Sequence, residues 1–346
     1  MYNKSEHIML HEKALGKEDF NHLYNKTIFI TGATGFLGMW LIRSIDYLNK
    51  TLCLNIKIVI LLRSKYKKRL LKNFKNIKID YIYGNVTDFS FKKKKIDHII
   101  HLAAETSEKK NKDKIEVVNT IINGTIRVLK YSHFIKANSI SYLSSGGVYG
   151  KNCINEEGWK ESDNNCPNLY DSVATYGLSK KCAENILIES FKKSSNLKAI
   201  NIFRAFSFGG SYFNTDNHFA FDDFIKKRIN QKDIHLLSNG LVMRNYMHPL
   251  DIASWILTSK KFDKVNLFNT GANKNYSIKN LAKRIAKIKY NGLPPIKVKT
   301  GSIKTKENYI PNLNLAKKFG LKAKISLDMQ IKDSLNYYYG KKVKSL

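Results

Sequence analysis

Three stretches of this sequence carry side chains whose types and spacing could do chemistry. In Tyr176-Gly177-Leu178-Ser179-Lys180 a phenol and an ammonium stand four residues apart, a spacing that shares one helix face. An ammonium beside a phenol favours the phenolate. The expected effect is a Tyr176 pKa below the usual ~10 and a proton donor or acceptor near neutral pH. Upstream, Leu143-Ser144-Ser145-Gly146-Gly147 closes an apolar run, where a hydroxyl could hydrogen-bond the same carbonyl oxygen. The third stretch is Thr31-Gly32-Ala33-Thr34-Gly35-Phe36-Leu37-Gly38. There Gly32 permits a tight turn, Gly35 admits a pyrophosphate to the backbone, and Gly38 lets helix pack on strand. Dinucleotide binding is the expectation; a purely structural glycine turn is the alternative.

These residues need elements to hold them. Apolar runs at Thr27–Ile30, Ile56–Leu62, Ile77–Tyr83, Ile96–Leu102, Ser139–Ser144 and Lys198–Arg204 read as strands. Helical patterns lie between them at Phe36–Leu48, Lys65–Asn73, Lys112–Lys136 and Ser172–Lys193. Continuous apolar strands separated by helices predict an α/β fold with a doubly wound parallel sheet, whose ligands sit beyond the strands' carboxyl ends. After Arg204 the pattern loosens into loops and aromatics, with helices expected at about 221–230, 277–289 and 327–338, and a strand at 234–237. The expected organisation is an N-terminal extension at 1–25 and a dinucleotide-binding domain at 26–204, rejoined by about 245–275. A smaller C-terminal substrate-binding lobe takes about 205–244 and 276–340.

The net charge is +32, yet only eight of the 60 basic residues are Arg, and they are spread along the chain. Arg is the side chain suited to bidentate reading of bases and phosphates. The expectation is a solvated basic surface that attracts phosphorylated small molecules, with no nucleic-acid partner. No apolar run is long enough to span a bilayer and the first residues lack a signal-peptide core, so no membrane span and a cytoplasmic location are expected. Cys53, Cys153, Cys166 and Cys182 form no C-x-x-C pair. His98 and His101 lie at odd spacing on one strand and so face opposite ways, and no metal site is expected. At the end of the second strand, Arg63-Ser64-Lys65 stands where NAD-selective folds carry an acidic residue. That favours NADP(H), with NAD(H) possible; an ordinary solvated loop is the alternative.

Taken in order, these motifs resemble the extended short-chain dehydrogenase/reductase family of nucleotide-sugar epimerases, dehydratases and reductases. The resemblance runs from about Lys26 to Tyr339. It rests on the glycine motif, Ile100-His101-Leu102-Ala103-Ala104, Ser144-Ser145 before Val148-Tyr149-Gly150, and Tyr176 with Lys180. Arg204, Arg244-Asn245-Tyr246-Met247-His248-Pro249-Leu250-Asp251 and Phe268-Asn269-Thr270-Gly271 match later family segments. The resemblance implies a Rossmann domain and a nucleotide-diphosphate sugar as partner. It also implies a homodimer formed through Lys112–Lys136 and Ser172–Lys193.

It further implies that Tyr176 is the acid or base, Lys180 holds the nicotinamide ribose, and Ser145 polarises the substrate oxygen. Cofactor contacts would come from Gly32, Thr34, Gly35, Phe36, Leu37, Gly38, Arg63, Asn85, Val86, Leu102, Ala103, Ala104, Lys180 and Arg204. Substrate contacts would come from Ser145, Gly146, Tyr176, Ser207, His218 and Arg244. Arg244 would grip the pyrophosphate; its alternative is an ion pair with Asp251 or another acid. Family dehydratases carry Asp-Glu where this chain has Gly146-Gly147, and the related decarboxylases carry Glu in place of Gly147. Neither glycine can transfer a proton. The expectation is therefore plain hydride transfer, either one-way or followed by return. The Arg63 loop suits one-way reduction, and Phe203–Gly210 with His218–Ile225 resemble a subgroup of the family that reduces 4-keto-6-deoxy sugars; that resemblance implies a 4-keto-6-deoxy nucleotide sugar such as dTDP-4-keto-6-deoxyglucose as substrate. The alternatives are a nucleotide-sugar 4-epimerase with tightly held NAD, then a decarboxylase or a 4,6-dehydratase drawing its acid from elsewhere, for example Glu156 or Glu157. A non-catalytic RNA-binding protein is the remote one.

Overall fold

The computed structural model describes residues 4–104, 113–151, 157–211, 219–304 and 308–344. In chain order the elements begin with α1 (Lys4–Leu15), β1 (Thr27–Thr31), α2 (Phe36–Leu52), β2 (Lys57–Leu62), β3 (Lys78–Tyr83) and β4 (His98–His101). Next come α3 (Lys114–Val118), α4 (Gly124–Phe134), β5 (Ser139–Ser145), α5 (Ala174–Lys193), β6 (Ala199–Ala205), β7 (Ser207–Phe208), α6 (Ala220–Ile229) and β8 (Ile234–Ser238). The chain continues with β9 (Met243–Met247), α7 (Pro249–Thr258), β10 (Lys264–Thr270), β11 (Asn275–Ser277), α8 (Ile278–Lys287), β12 (Val298–Ile303), α9 (Asn314–Lys318) and α10 (Leu327–Lys344).

Seven strands form one parallel sheet in the order β10-β6-β5-β4-β1-β2-β3. Strand side chains alternate between faces. Ile28, Ile30, Ile58 and Ile60 therefore join α2 and α7 in one core, while Phe29, Val59 and Ile99 join α4 and α5 in the other. Both faces are covered, which is why these strands read as continuous apolar runs. The smaller lobe has its own core, where Phe221, Ile225, Leu281, Ile285, Ile331 and Leu335 bring α6, α8 and α10 together. Its strands form two small sheets, β11-β9-β7 and β12-β8.

The structure departs from the sequence reading in four places. The extension before β1 holds a helix and is tied to the core: Leu10, Ala14, Leu15, Phe20 and Leu23 are buried, and α1 packs on α2 and α7. Their few apolar residues were too sparse to show a period. The expected helix at Lys112–Lys136 starts instead at an Asp113 cap, whose carboxylate accepts from Ile115 N and Glu116 N. It is interrupted by a π-turn at Asn119–Asn123, and Lys112 lies outside the described residues. Lys65–Leu71 is 3₁₀ rather than α-helical. Its clustered like charges disfavour an α-helical turn. Finally, residues 245–247 belong to the small lobe's sheet through β9, and the return to the main sheet is made by β10.

A lysine lies inside this fold. Lys260 is 7% exposed, and its ammonium nitrogen donates to Ser141 Oγ at 2.6 Å and Ile99 O at 3.3 Å. Burial pushes its pKa down to about 7 from 10.5. Between those values the unfolded chain holds a proton that the folded chain lacks, so raising the pH stabilises the fold. We expect the stability of wild type relative to Lys260→Met to rise by up to about 1.4 kcal/mol per pH unit across that window. Urea unfolding of both proteins at several pH values checks this; a gap independent of pH would contradict it.

Candidate active site

The glycine turn lies between β1 and α2. Gly32 has φ +70°, and a Cβ there would lie 2.8 Å from the Ala103 amide. A side chain at Gly38 would collide with the backbone of Gly32 and Ala33. Close approach of three backbone segments is what these glycines permit. Gly35 caps α2 without a side-chain acceptor, and the first turn carries no acidic residue. The amides of Phe36, Leu37 and Gly38 begin a 17-residue helix, whose positive end fits a pyrophosphate.

The neighbouring loops complete this edge. Thr34 lies within the turn, and Leu102, Ala103 and Ala104 leave β4 half-buried beside it. Thr31 Oγ1 accepts from Ala103 N at 3.2 Å and meets His101 Nδ1 at 2.7 Å. Burial pushes His101 down to about 3, so its ring is neutral and structural. Asn85 follows β3, and its side-chain oxygen accepts from Val86 N at 2.7 Å, while Val86 is buried. Arg63 is exposed at the carboxyl end of β2, and Ser64 caps the following turn by accepting from Tyr66 N.

The residues expected to act as acid and base meet where α5 crosses the turn after β5. Gly177 packs against the Gly147 carbonyl, where any side chain would collide. The buried stripe of α5 runs Gly177, Lys180, Glu184, Leu187, placing two charges on its inner face. Ser145 Oγ accepts from Gly147 N at 3.0 Å, and the Tyr176 phenol is beside it. Lys180 donates to Leu143 O at 2.7 Å, with its nitrogen 4.6 Å from the Tyr142 ring centroid and 5.9 Å from that of Tyr176.

The electrostatics correct one expectation. Tyr176 is not lowered by Lys180; burial, and secondarily the neighbouring Tyr309, push its phenol above the usual range, while Ser145 opposes this. Burial brings Lys180 itself down to about 7, with Glu184 opposing it. Desolvation of both groups outweighs their attraction. Tyr176 is consequently a neutral phenol at physiological pH, held ready to give a proton.

Other expected residues fall as follows. Gly146 is buried, and a Cβ on it would lie 2.8 Å from both the Phe206 ring and the Tyr309 hydroxyl. Ser207 is half-buried on β7, paired with Tyr246. Arg244 lies on β9, donating to Met243 O at 3.0 Å, with its guanidinium 5.7 Å from the Tyr309 ring centroid. Asp251 is committed elsewhere, accepting from Lys324 N and Ile325 N. His218 and Glu156 lie outside the described residues. Glu157 is a surface residue that pairs with Lys160 at 3.4 Å.

Arg204 is committed within the protein. It is 7% exposed within β6, bound to Glu184 at 2.7 Å and donating to the Tyr149 hydroxyl at 2.8 Å. Tyr149 in turn donates to Asn269 at 2.8 Å, and Ser144 also donates to Glu184. Nothing in the sequence pairs residues 184 and 204; a helix and the next strand bring them together. The sequence reading also missed Tyr309, whose hydroxyl stands in front of Gly146 and 3.5 Å from Ala205 O. Only the chain's return as an isolated bridge beside Arg244 brings it there, and no local motif announces it.

The buried pair yields a test. Glu184→Ala strands a desolvated guanidinium and should cost about 3–5 kcal/mol of stability. Replacing both partners together (Arg204→Met with Glu184→Leu) should restore much of that. Urea midpoints of the single and double variants decide it; equal losses would show that the charges do not act as a pair.

Comparison with known proteins places this geometry. Residues 28–271 match the NAD dependent epimerase/dehydratase family. The chain is 30% identical over 283 residues to dTDP-D-glucose 4,6-dehydratase of Dictyostelium discoideum. That match covers 77% of this chain and 63% of the relative, so less than two thirds of the relative's length is spanned. Among solved structures, the UDP-N-acetylglucosamine 4-epimerase from Methanobrevibacter ruminantium M1, in complex with UDP-N-acetylmuramic acid, superposes with a TM-score of 0.74 at 20% identity. That superposition covers 92% of this chain and 99% of the other. The dTDP-glucose 4,6-dehydratase from Bacillus anthracis in complex with NAD gives 0.71 at 18% identity, over 92% and 98%. These structural likenesses speak to the fold; the sequence match, which spans the glycine turn, Ser145 and Tyr176 through β10, speaks to ancestry. This chain belongs to the NAD-dependent epimerase/dehydratase family of enzymes.

Proposed function

We propose that this protein is an NAD(P)-dependent oxidoreductase of nucleotide-diphosphate sugars that reduces a 4-keto-6-deoxy sugar with Tyr176 as proton donor. The observation that carries the reading is the glycine wall beside Ser145. A dehydratase needs acid and base side chains there, but Phe206 and Tyr309 fill the space that a side chain on residue 146 would need. The protonated state of Tyr176 supports the same direction, since carbonyl reduction needs an acid.

In this reading the α2 amino end takes the dinucleotide pyrophosphate, and Lys180 holds the nicotinamide ribose. Asn85 and Val86 border the adenine. When bound, the reduced dinucleotide supplies the hydride. Tyr176 gives its proton to the sugar oxygen, and Ser145 donates to the charge developing on that oxygen. Arg244 holds the sugar nucleotide's pyrophosphate, with Ser207 lining the sugar site. Arg63, exposed at the end of β2 with Ser64 and Lys65, supports NADPH over NADH through a 2′-phosphate contact. We also propose a homodimer through α3–α4 and α5, because Ile115 is 82% and Phe134 50% exposed there. Sedimentation equilibrium reads its mass directly, and a monomer at micromolar concentration removes that element.

The direct assay offers dTDP-4-keto-6-deoxyglucose to cofactor-stripped protein with NADPH or NADH and follows loss of reduced-nicotinamide absorbance. Stoichiometric loss, faster with NADPH, is expected. Tyr176→Phe should lower turnover by about 100-fold or more. Arg63→Ala should reduce the NADPH preference by about tenfold, the order of one charge-assisted contact. If neither cofactor is consumed and NAD is found bound in unstripped protein, an internal-redox 4-epimerase replaces the reductase.

A further inference from the structure

Two serines stand side by side at the end of β5, and their hydroxyls have different partners. Ser145 Oγ accepts from Gly147 N at 3.0 Å. Ser144 is buried, and its Oγ donates to Glu184 Oε1. Glu184 is a carboxylate paired with Arg204 at 2.7 Å. A carboxylate can only accept, so the single proton of the Ser144 hydroxyl is committed there. The hydride-transfer reading gives this hydroxyl no part.

Strand register explains the contact. In the parallel pairing of β5 with β6, Ser144 stands opposite Arg204. Arg204 holds the same carboxylate, with Nε 3.0 Å from Oε1 and Nη2 2.7 Å from Oε2. Glu184 is thus fixed from β6, and Ser144 ties β5 to it. Side chains two apart on a strand share a face. Tyr142 therefore shares the face of Ser144, and the Lys180 nitrogen lies 4.6 Å from its ring centroid. Between them, the Leu143 carbonyl accepts from Lys180 at 2.7 Å. Lys180 and Glu184 both lie on the buried stripe of α5. Three consecutive residues of β5 therefore seat the two inner charges of α5, and Ser145 follows directly.

We propose that Ser144 is a positioning residue that acts through Glu184. Its hydroxyl locks α5 against β5 and so sets where the Lys180 ammonium meets the cofactor ribose, a placement of the cofactor that rests on the reading above. An ammonium has three donors, and the Leu143 carbonyl takes one. When Ser144 becomes alanine, Glu184 keeps Arg204, so no charge is stranded and the helix keeps its inner face. What is lost is the side-chain tie from α5 to β5, one helical turn from Lys180.

The test places Ser144→Ala in two backgrounds, wild type and Arg204→Met with Glu184→Leu, which lacks the carboxylate. The first readout is dinucleotide affinity, from fluorescence titration of cofactor-stripped protein with NADPH and NADH, taking whichever binds wild type more tightly. In wild type, Ser144→Ala should raise Kd by about tenfold, the order of one displaced charge-assisted contact. In the background without Glu184 it should change Kd by less than about twofold, because the partner through which it acts is gone. The second readout is NADPH-dependent turnover of dTDP-4-keto-6-deoxyglucose. There Ser144→Ala should lower kcat about tenfold and change the sugar's KM by less than about threefold. An unchanged Kd in wild type, or an equal rise in both backgrounds, overturns the role of Ser144 and leaves the reading intact. A thermal midpoint lowered by more than about 10 °C in Ser144→Ala assigns the hydroxyl to the fold and overturns the positioning role. Full activity of Tyr176→Phe, or no turnover of this sugar by wild type, overturns the reductase reading alone, since the affinity comparison needs no sugar and still decides Ser144. A wild type that binds neither dinucleotide overturns both.

Discussion

The site depends on one backbone contact, Gly177 of α5 lying against the Gly147 carbonyl beyond β5. Side chains at this crossing would push the helix away from the strand end. With two glycines facing each other, the first turns of α5 come close enough to bring Tyr176 to Ser145 and Lys180 to the Leu143 carbonyl. Close approach of backbone is thus converted into a cluster of hydroxyls, and the chemistry follows from the packing.

Behind that cluster the structure commits a second set of polar groups to holding the elements in register. Glu184, one turn beyond Lys180, takes Arg204 from β6 and Ser144 from β5. Arg204 continues to Tyr149, and Tyr149 to Asn269 on β10. One helix and three strand ends are joined by a chain in which each charged member is paired. A buried network of this kind rigidifies when satisfied and is costly when broken. It keeps the carboxyl ends of β5, β6 and β10 level, the edge that carries Ser145.

Much of this was legible in the sequence, for identifiable reasons. The parallel sheet could be read because strands covered on both faces give unbroken runs such as Ile58–Leu62. The turn between β1 and α2 could be read because Gly32, Gly35 and Gly38 meet their constraint within eight residues of chain. What escaped depends on distance along the chain or on burial. Tyr309 reaches Ser145 only through the path of the small lobe. The resemblance implied a cofactor contact at Arg204, whereas Glu184 draws its guanidinium inward. The Tyr176–Lys180 spacing announced a partnership, but the sign of the pKa shift was set by desolvation, which no spacing encodes.

The glycine at position 146 is more than the absence of a side chain. The Phe206 ring and the Tyr309 hydroxyl already occupy the volume that a side chain would need. An acidic residue introduced at 146 alone meets a steric barrier, and loss of Tyr309 alone leaves a hole beside Ser145. Positions 146 and 309 therefore constrain each other's history: single-step routes between this wall and an acid-bearing one pass through a misfitted intermediate. Divergence of reaction type within this scaffold becomes a problem of epistasis between a strand end and a loop far along the chain.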